Sequence, residues 1–152
     1  MPVEINVGPP VLTINQGSTI MVTDLNGEIA SGEQGVFAGD TRFVSRFALF
    51  ANGRPWVLLT SSPTAYYTAR IYLTNPPLPA SRYPRAWWGR LAGAGRLPVH
   101  REEDIPGGSL ALTIGRAVGE GIHEDLDVTN HGLTPVRLMP STILVPPLMP
   151  IL

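Results

Sequence analysis

The chain has 152 residues, 43% hydrophobic and 15% charged, with a formal net charge of −1. This balance excludes a disordered polyelectrolyte and gives no overall attraction to nucleic acid or to an anionic membrane surface. The absence of cysteine excludes a disulfide framework and a thiolate metal site, and 16 Gly with 16 Pro argue against long helices.

From the N-terminus, Met1 to Pro10 has no basic segment ahead of an apolar run, so it does not read as a signal peptide. Residues 1–16 read as an N-terminal extension and 17–145 as the domain proper. Val11-Leu12-Thr13-Ile14 and Thr19-Ile20-Met21-Val22 are β-prone runs, separated by the turn Asn15-Gln16-Gly17-Ser18. Asp24-Leu25-Asn26-Gly27 predicts a tight reversal, because Asn-Gly accepts positive φ. Thr41 to Phe50 reads as one strand, with Phe43, Phe47 and Leu49 on one face and Arg42, Val44, Arg46 and Ala48 on the other. Asn52-Gly53-Arg54-Pro55 then turns the chain, and Trp56 to Ser61 is expected to return as the partner strand.

Ala65 to Thr74 is a further strand. Residues 76–108 form a long irregular loop rich in Pro, Arg and Trp. Order resumes at Ser109, where Leu110, Leu112 and Ile114 alternate with Ala111, Thr113 and Gly115. Ile122, Leu126 and Val128 mark the next strand, with Glu124 interrupting its apolar face. Asn130-His131-Gly132 turns, and Val136 to Val145 runs back. Roughly eight strands at hairpin spacing predict an all-β fold, an antiparallel β-sandwich. Residues 146–152 form a Pro-rich apolar tail too short to cross a bilayer.

The candidate chemistry is sparse. His123, Asp125 and Asp127 alternate on one strand face, but alternation alone produces such a solvated face, so no metal site is assigned. A glycosidase needs two carboxylic acids across the scissile bond, and nothing in the spacing of Asp40, Glu120, Glu124 and Asp125 selects a pair. Glu124 fits a bulge or a pairing with Arg42 or Arg46. There is no nucleophile elbow and no phosphate cradle, so no catalytic residue and no cofactor are expected. The segment Arg82-Tyr83-Pro84-Arg85-Ala86-Trp87-Trp88-Gly89-Arg90 is basic and aromatic, followed by the acidic Glu102-Glu103-Asp104. A structural or interdomain loop outweighs a carbohydrate contact through Trp87 and Trp88, and both outweigh nucleic acid.

Several of these pieces together resemble the N-terminal domain of glycogen debranching enzymes, the amylo-alpha-1,6-glucosidase relatives. They are Thr23-Asp24-Leu25-Asn26-Gly27-Glu28-Ile29, then Gly35-Val36-Phe37-Ala38-Gly39-Asp40-Thr41-Arg42-Phe43-Val44-Ser45-Arg46-Phe47. Leu73-Thr74-Asn75-Pro76, Leu110 to Arg116, Ile122-His123-Glu124-Asp125-Leu126 and Thr129-Asn130-His131-Gly132 follow in matching order. The resemblance implies a β-sandwich that precedes a helical (α/α) barrel glycosidase domain, which carries the catalytic carboxylates and is absent from this chain; the lack of cysteine is compatible with a cytoplasmic location. Leu78 to Ile105 departs from the family as an insertion, and Pro140 to Leu152 replaces its usual continuation.

The expected role is therefore a non-catalytic accessory domain, with a stand-alone carbohydrate-binding or oligomerising module as the alternative. Asp40, Arg42, Arg46, Trp87 and Trp88 are the candidates for contact with α-glucan or with the partner domain. Asp40 is placed to accept backbone N–H bonds of its turn. The Trp-rich loop and the apolar tail are expected to face a partner or drive self-association. Neither nucleic acid nor a membrane is an expected partner.

Overall fold

A computed structural model describes residues 8–77 and 105–146 of the chain. Among these residues there is no helix, and so none long and apolar enough to cross a membrane. Eleven strands appear: β1 (Leu12–Gln16), β2 (Thr19–Thr23), β3 (Gly35–Ala38), β4 (Thr41–Val44), β5 (Arg46–Ala51), β6 (Arg54–Pro55), β7 (Val57–Ala65), β8 (Thr68–Thr74), β9 (Leu110–Val118), β10 (Ile122–Asn130) and β11 (Pro140–Val145). They form three antiparallel sheets, ordered β1-β2-β3-β4, β10-β9-β8-β7 and β11-β5-β6. The all-β expectation holds, and the arrangement is consistent with a sandwich.

The turns follow the sequence chemistry. Gly17, at φ 59°, closes the β1–β2 hairpin across Gln16 and Thr19. This hairpin spans the boundary placed at residue 16, so the first sheet begins at Leu12. Asn52 (φ 50°) and Gly53 (φ 74°) are both left-handed and make the two-residue connection between β5 and β6.

One hydrophobic core joins the sheets. Leu12, Ile14 and Met21 from the first sheet meet Ile71, Leu73, Leu110, Leu112, Ile114 and Val118 from the four-stranded β7–β10 sheet. Phe47, Leu49, Ala51 and Trp56 complete it. Strand β9 alternates buried and half-buried residues throughout, as its sequence pattern demands. Burying each of these aliphatic side chains contributes about 1.5–3 kcal/mol.

Three strand expectations need correction. Thr41 to Phe50 is two strands in two sheets: the chain crosses between them at Ser45, whose N–H and Oγ both donate to the Val145 carbonyl, at 3.0 and 3.1 Å. The crossing breaks the face shared by Phe43 and Phe47, leaving Phe43 54% exposed while Phe47 is buried. Trp56 to Ser61 does not return against β5. After the two-residue β6, Trp56 enters the core and β7 pairs with β8 in the other sheet. Ala65 to Thr74 is likewise interrupted, because Tyr66 and Tyr67 form the β7–β8 turn.

Asn75 secures the end of β8 to the residues that lead into β9. Its Oδ1 accepts from the Leu110 N–H at 2.8 Å and its Nδ2 donates to the Pro106 carbonyl at 2.9 Å. Thr74 Oγ1 adds a bond to the Leu110 carbonyl at 2.8 Å. The buried Asn75 therefore meets its own polar demand while pinning β8 to the start of β9.

Candidate functional site

Two arginine-centred clusters dominate the polar interior. The first is built on Arg116. It lies on the inward face of β9, in line with Ile114 and Val118, and is 2% exposed. Residues 116 and 124 face each other across the β9–β10 hairpin, and Arg116 Nη2 and Nε each lie 2.5 Å from Glu124 Oε1. Nη2 also donates to the Gly27 carbonyl at 3.0 Å, and the guanidinium carbon stands 5.5 Å from the Phe47 ring centroid. One side chain thus ties β9 to β10, to the 24–28 turn and to β5.

The turn above it is self-closed. Gly27 N–H donates to the Asp24 carbonyl, Glu28 N–H donates to Asp24 Oδ1 at 2.8 Å, and Asp24 N–H donates to the Glu28 carbonyl. Gly27 adopts φ 82°, and a Cβ there would stand 2.6 Å from Ile71 Cδ1 and 3.3 Å from both terminal nitrogens of Arg116. Only glycine allows the turn to seat on the guanidinium.

Burial shapes the electrostatics. It pushes the Glu28 carboxyl up to about 7, with Asp24's charge adding to the rise. Burial also raises Asp24, opposed by backbone N–H bonds from Glu28 and Asn26, the Arg116 charge and a bond from Gly27. Arg116 is lowered by burial, offset by Glu124 and Asp24. Among the described residues its Nη1 is buried without a hydrogen-bond partner.

The second cluster explains the Asp-Thr-Arg run. Arg42 Nη2 donates to the carbonyls of Ser31 (2.9 Å), Gln34 and Ser45 (3.3 Å). Its guanidinium carbon lies 5.9 Å from the Phe37 ring centroid. Gln34, itself buried, uses Oε1 to accept the N–H groups of Ala30 and Ser31. Arg42 is therefore directed inward, onto the loop before β3 and the crossing at Ser45.

The other candidates are dispersed. Asp40 is exposed in the β3–β4 turn, where the Gly39 N–H donates to the Ser18 carbonyl. Arg46 is half-buried at the start of β5, opposite Val145, in a different sheet from Arg42. Trp87, Trp88 and the apolar segment after Pro146 lie outside the described residues. Glu124 pairs with Arg116, not with Arg42 or Arg46, because those arginines sit on other sheets.

His123 and Asp125 are exposed on the outward face of β10, 3.2 Å apart at Nε2 and Oδ1. Among the described residues, no group of three or more metal-ligating side chains is placed to hold an ion. A cavity of about 20 Å³ lies beside Asn75, bounded by Ala51, Asn52, Leu110 and Leu138. It has room for about one water, far less than a sugar ring.

Sequence reasoning missed Arg116, although two signals pointed to it. The residue falls on the apolar face of an alternating strand. A hairpin centred on Glu120 also places it opposite Glu124, the one carboxylate that broke the next strand's pattern.

No curated protein and no solved structure gives a significant match to the chain. The family of N-terminal domains of (some) glycogen debranching enzymes matches residues 14–89, half of the chain. The matched span contains the Asp24–Glu28 turn, the Gly35–Phe47 run with Arg42, and Asn75, while Arg116 and Glu124 lie beyond it. By that match the chain belongs to the family of N-terminal domains found in glycogen debranching enzymes.

Proposed function

We propose that this chain is a non-catalytic accessory β-sandwich that supports a helical-barrel glycosidase domain acting on α-glucan in the cytoplasm. The observation that carries the reading is the use of Arg42. The arginine of the family's Asp-Thr-Arg run bonds three backbone carbonyls of its own domain. A side chain committed in that way shapes the scaffold and is poorly disposed to hold sugar hydroxyls. The catalytic carboxylates then belong to the barrel, and the exposed Asp40 and half-buried Arg46 are contact residues towards it.

A second reading, a carbohydrate-binding module, draws on Tyr66 and Tyr67. Both are exposed at the β7–β8 turn, with ring centroids 4.9 Å apart and planes at 72°. Aromatic faces can stack on sugars, but an edge-to-face pair presents no continuous flat platform.

Titration of the chain with maltooligosaccharides, followed by tyrosine and tryptophan fluorescence, separates the two readings. The accessory reading expects no saturable change. It also expects a complex when the chain is mixed with a separately produced helical-barrel domain of a debranching enzyme. Saturable sugar binding without such a complex favours the module.

A further inference from the structure

The β7–β10 sheet ends in an unusual edge. Strand β10 has nine residues, pairs with β9 without a register shift, and among the described residues has no neighbour on its other side. Long regular edges offer unpaired backbone groups to another strand, and proteins usually shorten, bulge or cover them. This edge is neither short nor bulged.

Its inward face is also unfinished. Leu126 and Val128 pair directly with Ile114 and Leu112, so they share the core-facing side. Ile114 and Leu112 are buried, whereas Leu126 is 48% and Val128 45% exposed. The opposing sheet ends in the same condition. Leu144 of β11 pairs with Phe47 on the inward face of β5, yet it is 60% exposed. Phe47 in turn lies over Arg116 of β9, the strand that neighbours β10. Among the described residues, both sheets therefore carry core-type side chains uncovered on an edge strand.

The outward face selects among occupants. Asp125 and Asp127 stand opposite Gly115 and Thr113 of β9, neither of which carries charge. His123 lies beside Asp125, and Arg70 sits one strand further in, on β8 opposite Gly115. A second copy pairing antiparallel through its own β10, centred on Leu126, sets Asp125 against the other copy's Asp127. Like charges directly opposed across strands are destabilising. A strand carrying Lys or Arg at alternate positions meets the same aspartates favourably.

We propose that the free edge of β10 is a β-augmentation site for a partner strand that alternates apolar side chains, covering Leu126 and Val128, with cationic ones facing Asp125 and Asp127. Backbone hydrogen bonds along the edge supply affinity, and alternate side chains supply selectivity. The inference goes beyond the accessory-domain reading and stands on the edge alone. Failure to bind a helical barrel would leave it intact, and its own failure would leave that reading intact.

The test uses the full chain, isotopically labelled, and two synthetic peptides of the same length as β10. One alternates valine with lysine and the other valine with glutamate. The expected result is saturable shifts of the β10 amides with the lysine peptide, and binding of the glutamate peptide weaker by about tenfold. Asp125→Lys combined with Asp127→Lys, at exposed positions that preserve the fold, is expected to reverse that preference. The milder Asp125→Asn with Asp127→Asn is expected to abolish it. Absence of β10 shifts with either peptide, equal binding of both, or concentration-dependent self-association that shifts the same amides would each overturn the proposal.

Discussion

Arg116 of β9 and Glu124 of β10 are a directly opposed cross-strand pair on the inward face of their hairpin, with Nη2 2.5 Å from Oε1. A guanidinium this deeply buried depends on its carboxylate. Glu124→Ala leaves the charge with the Gly27 carbonyl, the Phe47 ring and the more distant Asp24, and is expected to cost about 3–5 kcal/mol. Arg116→Met combined with Glu124→Leu removes both charges and is expected to cost much less than Glu124→Ala alone. Urea denaturation followed by tryptophan fluorescence measures both variants against the parent, and a double variant that loses as much as Glu124→Ala would refute the coupling.

Gly27 and Gly17 form a matched comparison. Both have positive φ, but an added methyl at Gly17 meets open space, whereas at Gly27 it strikes Ile71 and crowds Arg116. Gly17→Ala is expected to cost about 1 kcal/mol, the ordinary left-handed penalty. Gly27→Ala adds overpacking of about 1–3 kcal/mol more. Thermal unfolding of the two variants checks the order.

Glu28 makes stability depend on pH in a definite direction. Its folded pKa, about 7, lies above the ordinary 4.5, so the folded state holds the proton more tightly than the unfolded chain. That contribution is fully present below 4.5 and is lost as pH rises towards 7. Asp24, also raised, acts in the same sense. Glu28→Gln cannot ionise. Its melting temperature is expected to gain on the parent's as pH climbs through this window, with the gap constant above it. A gap independent of pH would show that Glu28 does not titrate there.

Arg42→Lys retains the charge but loses the planar guanidinium that lies over the Phe37 ring and sets Nη2 among the three carbonyls. It is expected to lose about 1–3 kcal/mol and to speed amide exchange at Ala30 and Ser31, whose N–H groups bond to Gln34. Amide exchange unchanged from the parent would remove Arg42 from its structural role.

Much of this architecture is legible residue by residue. Strand β9 and its hairpin with β10 follow from period-two alternation, and Asn52-Gly53 announces its own turn. The crossing at Ser45 is not legible, because alternation runs unbroken through Arg42 to Phe47 and carries no mark of a change of sheet. Destiny after a turn is equally hidden: β6 and β7 are contiguous in sequence, yet only packing of Trp56 decides that β7 joins β8. The Asp-Thr-Arg run was readable as a motif, but its orientation was not. Whether an arginine reaches solvent or backbone depends on loop carbonyls brought near by tertiary contacts.

The most direct test of the accessory-domain account is an assay of branched-dextrin hydrolysis, comparing the purified chain, a separately produced helical-barrel domain, and their mixture. The account predicts no glucose release by the chain alone and greater release, or greater thermal persistence of activity, when it joins the barrel. Hydrolysis by the chain unaided, or a barrel indifferent to its presence, would contradict it.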